Sequence, residues 1–209
     1  MADLKQLAEA VIKGNQSLTI ELTKQAVSDG DGAKEILDVG LIGGMDVLAD
    51  RWRRNEVYIP EVLIAARAMK AGMGVLEPEL TKAGVEAIGK CMIGTVQGDL
   101  HDIGKNLVIM MLKGAGFDAI DVGIDVSPEK FVQVAKESGA QIIGLSALLT
   151  TTMPGMETAV KALRDAGISA KIIIGGAPVT QAYADKIGAD GYASDAAEAV
   201  DLAKKIIAA

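Results

Sequence analysis

Apolar residues recur at helical spacing through the first part of the chain. Val62, Ala66, Met69, Met73 and Leu76 follow one another at intervals of four and three residues, which places them on one face of a helix. Similar patterns predict four helices, which would pair into a small antiparallel bundle. Their predicted ranges are 3–13, 17–28, 32–53 and 60–77.

Two local features refine this bundle. Asn15 and Ser17 are both candidates to cap the second helix, because their side-chain oxygens can accept from its first amides. The third helix contains Gly40, Gly43 and Gly44, each of which costs roughly 1 kcal/mol relative to alanine in a helix. Close packing within the bundle is the favoured explanation for these glycines, and an adaptable lid over a flat ligand is the alternative.

From residue 90 the pattern changes to short apolar runs that alternate with amphipathic segments. Five strands, each followed by a helix, predict a Rossmann-like (flavodoxin-like) parallel sheet with the strand order 2-1-3-4-5. We therefore expect an α/β protein with a helical bundle cap over 1–88 and a Rossmann-like domain over 89–209. The predicted strands are 90–96, 118–122, 141–146, 171–175 and 189–192, and the helices that follow them are 104–115, 128–138, 154–166, 179–187 and 195–207.

Composition and charge exclude several classes of function. The chain has 28 acidic and 21 basic side chains and a net charge of −7, so nucleic acid is not expected as a partner. No apolar run is long enough to span a membrane and the N-terminus does not resemble a signal peptide, so a cytoplasmic protein with no membrane partner is expected. The single cysteine, Cys91, lies in an apolar run and is expected to be a buried hydrophobic residue.

In a sheet of this type, ligands bind where the strands end at their carboxyl edge. The turn after the first strand, "GTVQGDLHDIGKN", holds the only histidine, His101, two residues after Asp99. The turn lacks the glycine and the serine or threonine of a phosphate-binding loop. Asp99 can fix the imidazole tautomer and leave one ring nitrogen free for a metal, which would have to arrive in a cofactor with its other ligands. A polar loop histidine without such a role is the alternative.

The turns after the third and fourth strands offer uncharged groups at the same edge. Ser146 and the three threonines Thr150–Thr152 provide hydroxyls, although capping of the helix at Pro154 would explain one of them. Gly175 and Gly176 would let the backbone approach a ligand closely, although turn geometry explains either glycine equally well. Together the three turns predict a deep slot.

These residues resemble the cobalamin-binding corrinoid proteins of methyltransferase systems, which are related to the cobalamin module of methionine synthase. The family motif D-x-H-x-x-G is present as Asp99, His101 and Gly104. The other two motifs are S-x-L, as Ser146 and Leu148 followed by Thr150, and G-G, as Gly175 and Gly176. The resemblance covers nearly the whole chain, since 55–72 is similar to the start of the family's last cap helix and 188–200 is similar to its C-terminal segment.

The resemblance implies a cobalamin or related corrinoid bound base-off, with His101 as the lower cobalt ligand. The corrin would lie between the cap and the sheet, and its nucleotide tail would enter the slot beside Ser146, Leu148, Gly175 and Gly176. Thr152 stands where the methionine synthase module has the serine of an Asp-His-Ser relay.

The activity that the resemblance implies is that of a non-catalytic methyl carrier. Its cob(I)alamin form would accept a methyl group from a donor-side methyltransferase. Its methylcob(III)alamin form would deliver that group to an acceptor-side methyltransferase acting on tetrahydrofolate or a thiol. A reductive activation protein would be a third partner. Methylamines, methanol, betaines and aryl methyl ethers all remain open as donors.

Two other functions share parts of this pattern: a radical mutase subunit shares the histidine motif and the sheet, and a cobalamin-dependent sensor has a similar cap and sheet. The cobalamin-binding subunit of a radical mutase does not normally carry the helical bundle predicted here. A cobalamin-dependent sensor would usually be joined to a DNA-binding or signalling domain, for which residues 1–209 leave no room. The methyl carrier is therefore the preferred hypothesis.

Overall fold

The computed structural model describes residues 3–209 and divides them into two compact units. One unit runs to Ala87 and also includes Gly114–Gly116, and the other comprises Ile88–Lys113 and Phe117–Ala209. The first unit is helical. Its elements are α1 (Leu4–Ile12), α2 (Gln16–Ser28), α3 (Ala33–Glu35), a π-helical stretch (Ile36–Ile42), α4 (Gly43–Arg53) and α5 (Ile59–Lys82).

The helix beginnings follow from capping. Asp3 accepts from the amides of Lys5 and Gln6 at the start of α1. Of the two candidates for α2, Asn15 is the cap, since its Oδ1 accepts from the Leu18 amide at 3.1 Å. These side-chain acceptors satisfy amides that have no partner within the helix.

The third predicted helix contains an irregular segment that the pattern did not reveal. Its central part, Ile36–Ile42, is π-helical, and it leads without interruption into α4. A Cβ at Gly40 would lie 2.5 Å from Leu7 Cδ2, and one at Gly44 would lie 2.8 Å from the Ala8 carbonyl oxygen. The contacts with α1 therefore support bundle packing as the reason for these two glycines.

The last helix of this unit is longer than predicted. It extends to Lys82 rather than residue 77 and contains Pro78. At its start, the Glu61 side chain accepts from the Tyr58 amide at 2.6 Å. The early end predicted at 77 was wrong: the helix continues past Pro78, and Leu76 and Leu80 on either side of the proline are both buried.

The second unit is a five-stranded parallel sheet in the order β2-β1-β3-β4-β5, which confirms the predicted topology. Its strands are β1 (Lys90–Val96), β2 (Asp118–Val126), β3 (Ile142–Ser146), β4 (Lys171–Gly175) and β5 (Gly191–Ala193). The helices between and after them are α6 (Ile103–Gly114), α7 (Pro128–Ser138), α8 (Met153–Asp165), α9 (Gln181–Ile187) and α10 (Ala196–Ala208).

The core of this unit explains why the strand sequences are continuously apolar. Both faces of the central strands are covered, as expected for a parallel sheet between helices. Met92, Ile143 and Ile172 are fully buried, together with Phe131 from α7 and Met156 from α8. The chain can therefore hold the carboxyl ends of its strands in fixed positions.

The second strand departs most from its predicted range. It ends at Val126 rather than 122, and its pairing with β1 shifts register twice near that end. Ile93 pairs with Asp121 but Gly94 pairs with Gly123, and Val96 then pairs with Val126. Each shift leaves one extra residue in β2, which is the definition of a β-bulge.

Among residues 3–209, no helix combines the length and the apolar character that crossing a membrane would require.

Candidate cofactor site

The candidate site is built on the loop that joins β1 to α6. The chain turns directly after β1, where the Asp99 amide donates to the Val96 carbonyl at 3.1 Å. The buried Thr95 hydroxyl donates to the His101 carbonyl at 2.8 Å. These two bonds tie the loop back to the strand, so the backbone that carries His101 is fixed by the sheet.

The Asp99 carboxylate orients the imidazole of His101. The carboxylate is 1% exposed, whereas half of the His101 side chain is exposed. Asp99 Oδ1 lies 2.7 Å from His101 Nδ1 and accepts from the His101 amide at 3.0 Å. Because a carboxylate can only accept, Nδ1 carries the proton, and the lone pair of the neutral ring is on Nε2.

The second oxygen of Asp99 is bound by a distant part of the chain. Asp99 Oδ2 accepts from the Leu148 amide at 2.7 Å and from the Thr152 hydroxyl at 2.7 Å. Burial alone raises the pKa of Asp99, but the hydrogen bonds from Leu148, Thr152 and His101 outweigh it. The pKa of Asp99 therefore lies well below the ordinary aspartate value, and the carboxylate is ionised.

This arrangement corrects the expectation that capping of α8 explains one of the threonines. Thr152 occupies the N-cap position of α8, but its side chain makes no cap hydrogen bond. Its hydroxyl is directed to Asp99 and also lies 2.9 Å from the Leu149 carbonyl. The Thr152 hydroxyl, the Asp99 carboxylate and the His101 imidazole thus form one continuous hydrogen-bonded chain.

The other two turns lie at the same edge of the sheet. Ser146 pairs with Thr95 on one side and with Gly175 on the other, so the ends of β1, β3 and β4 are in register. Leu148 and Thr150 are exposed in the turn after β3. Leu148 and Thr152, rather than Ser146 or Thr150, are the residues of this segment that donate to the Asp99 carboxylate.

The predicted glycines have different explanations. Gly176 has φ +135°, and a Cβ there would overlap the carbonyl oxygen of Ala147. Backbone packing therefore requires glycine at 176, whatever binds nearby. Gly104 has open space where its Cβ would be, so the protein itself does not require glycine there. Gly175 lies between these cases, because a Cβ would be 3.0 Å from the Ala193 carbonyl oxygen.

Sequence reasoning missed the carboxylates of β2 that support the loop. Lys105 is buried, and its Nζ donates to Asp121 at 2.6 Å and to Asn106 at 2.7 Å. The lysine that resembled part of a phosphate loop is therefore engaged within the protein. Asp125 accepts from the Gly98 amide at 2.7 Å. Asp125 lies within the second irregular stretch of β2, and an alternating-strand pattern cannot reveal its contact with the loop.

The donor set of the site fits a metal that brings most of its own ligands. Within the described range 3–209, no three His, Cys, Asp or Glu residues are grouped so as to hold a metal ion. A single imidazole cannot retain a bare ion, but His101 could hold a metal whose other ligands come from a cofactor. The residues next to His101 are also suited to a large apolar group, since Leu100 and Ile103 are 68% and 72% exposed.

Comparisons with known proteins agree with this geometry. Residues 89–201 match a family model described as a B12 binding domain, and residues 3–77 match a second model with the same description. A Rossmann-like sheet with an oriented histidine and a separate helical unit thus falls in the cobalamin-binding class. The chain belongs to the family of B12-binding corrinoid proteins, which confirms the resemblance and the fold class predicted from the sequence.

Individual relatives match over almost the full length. A corrinoid protein of Desulfitobacterium hafniense (strain Y51) is 42% identical over 99% of this chain and 98% of its own. Dimethylamine corrinoid protein 2 of Methanosarcina acetivorans is 43% identical over 98% of this chain and 95% of its own. The methanol:cobalamin methyltransferase complex of Methanosarcina barkeri contains a chain that is 28% identical, with a TM-score of 0.87 over 97% of this chain and 78% of that one.

Proposed function

We propose that the protein is a corrinoid methyl carrier in which His101 is the lower ligand of cobalt in a base-off cofactor. The observation that carries the proposal is the imidazole itself: it is half exposed, and its Nδ1 is held at 2.7 Å by a buried carboxylate. Histidines that bind a metal typically donate their other ring N–H to a carboxylate, which is the arrangement of His101 and Asp99.

The protein's own residues would prepare this ligand. Asp99 keeps the proton on Nδ1 and so presents the unprotonated Nε2 to the metal. Leu148 and Thr152 keep Asp99 ionised and fixed in position, which supports the basicity of the imidazole. When bound, the cofactor would supply a cobalt that accepts a methyl group in its reduced state and gives it up to a second acceptor.

The remaining motif residues are proposed to contact the cofactor. Leu148 and Thr150 are exposed at the same sheet edge as Asp99, and Gly104 has free space where a side chain would be. Ser146, Gly175 and Gly176 line the ends of β3 and β4, where uncharged groups suit a nucleotide tail. Thr152 acts through Asp99 instead of through direct contact.

The relatives support methyl transfer as the task. One is named for dimethylamine, and a solved neighbour is part of a methanol:cobalamin methyltransferase complex. Similarity to the dimethylamine protein extends over nearly the whole chain, helical unit included, which favours the carrier over a mutase subunit. We infer a donor-side methyltransferase, an acceptor-side methyltransferase acting on tetrahydrofolate or a thiol, and a reductive activation protein as partners in the cytoplasm. A methylated amine is the donor to test before methanol, betaines and aryl methyl ethers.

The proposal is tested by reconstitution with hydroxocobalamin. Wild type is expected to bind the cofactor with the absorption spectrum of nitrogen-ligated cobalt, and His101→Ala with that of water-ligated cobalt. Asp102→Asn is the matched control. Asp102 is next to His101 in the same loop, but its carboxylate accepts a hydrogen bond from the Asn106 side chain and is not hydrogen-bonded to the imidazole. Failure of wild type to bind cobalamin, or identical spectra for wild type and His101→Ala, would overturn the proposal.

The carrier role needs a second assay. The reduced, reconstituted protein is incubated with purified methyltransferases specific for methylated amines, methanol, betaines and aryl methyl ethers. Methylation of the cofactor by one of these enzymes, dependent on His101, supports the carrier. Cobalamin binding without methylation by any of them would contradict methyl transfer while leaving cofactor binding intact.

A further inference from the structure

The carboxyl-terminal end of β2 is hydrogen-bonded to the histidine loop. Asp125 donates its amide to the Asp99 carbonyl at 3.0 Å, and its carboxylate accepts from the Gly98 amide at 2.7 Å. The two hydrogen bonds connect one residue of β2 to two consecutive residues of the loop. Such a two-point link fixes both the position and the direction of the loop backbone just before His101.

The backbone at Asp125 is shaped for this contact. Its φ is +51°, and Asn55 is the other non-glycine residue with a positive φ among residues 3–209. Left-handed backbone costs an ordinary residue of order 1–2 kcal/mol, although aspartate tolerates it better than most. The residue lies in the second bulge of β2, between the pairs Gly94–Gly123 and Val96–Val126. Bulges of this kind redirect a side chain that a regular strand would aim elsewhere.

The exposure of Asp125 excludes a role in the core. Its side chain is exposed, so burial of the residue does not explain why the strand is bent there. The bulge instead places Asp125 where it forms hydrogen bonds with Gly98 and Asp99. Asp99 in turn holds the imidazole through Oδ1, so the link from Asp125 to His101 has only one residue between them.

We propose that Asp125 is a positioning residue that fixes the Asp99–His101 pair for cobalt ligation without touching the cofactor. This inference rests on the proposed function, in which His101 binds cobalt. The carboxylate oxygen is the part that matters, because it is the acceptor for the Gly98 amide. Without that acceptor the loop can adopt other conformations. The His101 imidazole is then in the position that suits cobalt ligation for only part of the time.

The test uses the cobalt(II) state of the reconstituted full-length protein and its electron paramagnetic resonance spectrum. Nitrogen hyperfine splitting reports the fraction of cobalt bound by His101. Asp125→Gly accommodates the positive φ but lacks the acceptor, and a roughly fivefold fall in the ratio of bound to free histidine is expected from the loss of one hydrogen bond. Asp125→Asn keeps an oxygen acceptor and tolerates the backbone, so it is expected to restore the wild-type ratio.

A matched control separates positioning from general stability. Ser127→Ala removes the cap of α7, where Ser127 accepts from the Lys130 amide at 3.3 Å, two residues from Asp125 and with no bond to the loop. This control is expected to lower the unfolding temperature and leave the hyperfine splitting unchanged. If Asp125→Gly yields no soluble protein, Asp125→Ser is compared with Asp125→Asn in the same way. The serine side chain is too short to place its oxygen within hydrogen-bond distance of the Gly98 amide.

The outcomes are distinguishable from those of the proposed function. Wild type without nitrogen splitting would overturn histidine ligation itself. Wild type with splitting, together with an unchanged ratio in Asp125→Gly, would overturn only the positioning role. An equal fall in Asp125→Asn or in Ser127→Ala would also contradict it, because the effect would then not depend on the acceptor oxygen.

Discussion

Thr152 makes one of the contacts on which the histidine site depends, and Thr152→Val removes it with little change in shape. Valine replaces the hydroxyl by a methyl group of similar size. The variant leaves Asp99 Oδ2 with the Leu148 amide as its remaining donor, where the wild type has two donors at 2.7 Å. Both Asp99 and Thr152 are buried, so water does not readily replace the lost bond.

The magnitude follows from the charge and burial of the acceptor. A hydrogen bond to a charged group contributes roughly 1.5–3 kcal/mol, and here the acceptor is an ionised carboxylate in the interior. We expect Thr152→Val to lower the free energy of unfolding of the unit that contains the sheet by about 2 kcal/mol at pH 7. For a protein of this size, that corresponds to a fall of about 4–8 °C in its unfolding temperature.

The effect should depend on pH in a defined direction. The pKa of Asp99 is lower in the folded state than in the unfolded state, so its ionised form adds stability above the unfolded value of about 3.9, and this stability is lost as the pH falls through the folded value. Removal of the Thr152 donor raises the folded pKa towards the unfolded one. The unfolded pKa is the same for both proteins, so the difference between wild type and Thr152→Val should stay constant from neutral pH to below about pH 4 and should shrink only as the pH falls through the raised folded pKa of Thr152→Val.

Urea unfolding followed by circular dichroism at pH 7 and at pH 2 measures both effects. Thr152→Ser is the matched control, because it keeps the hydroxyl and removes one methyl group, at a cost of about 1 kcal/mol that does not change with pH. If Thr152→Val lowers the free energy of unfolding by less than about 0.5 kcal/mol, the reasoning is refuted, because a hydrogen bond to a charged group typically contributes more. So would a loss that is the same at both pH values.

Three further predictions follow from other contacts. Asp99→Asn should weaken cobalt ligation by His101 by roughly 10–100-fold, measured from the spectrum of the reconstituted protein, and unchanged ligation would contradict the orienting role of the carboxylate. Gly176→Ala should cost about 3 kcal/mol or more in urea unfolding, since its Cβ would overlap the Ala147 carbonyl, whereas Gly188→Ala, at φ +75° with open space, should cost about 1–2 kcal/mol. Burial raises the pKa of Cys91 to about 12, so a thiol reagent at pH 8 should react with it only after denaturant is added, and rapid native labelling would contradict its burial.

The parts of this protein that sequence reasoning could predict are those set by local periodicity. The ranges 90–96, 128–138 and 171–175 agree with β1, α7 and β4 to the residue. Burial on both faces makes a parallel strand continuously apolar, and this can be recognised without knowledge of its neighbours. The pair Asp99 and His101 could also be found in this way, because the two residues are separated by only one position in the chain.

Contacts between distant residues were decided by the tertiary structure alone. The Leu148 amide and the Thr152 hydroxyl reach Asp99 across 49 and 53 positions, and the Asp125 carboxylate reaches Gly98 across 27. Such contacts depend on strand order, register and the two bulges of β2, each of which can change without changing the local pattern. The sequence by itself determined that a histidine stands after the first strand, and the folded sheet determined which groups orient it.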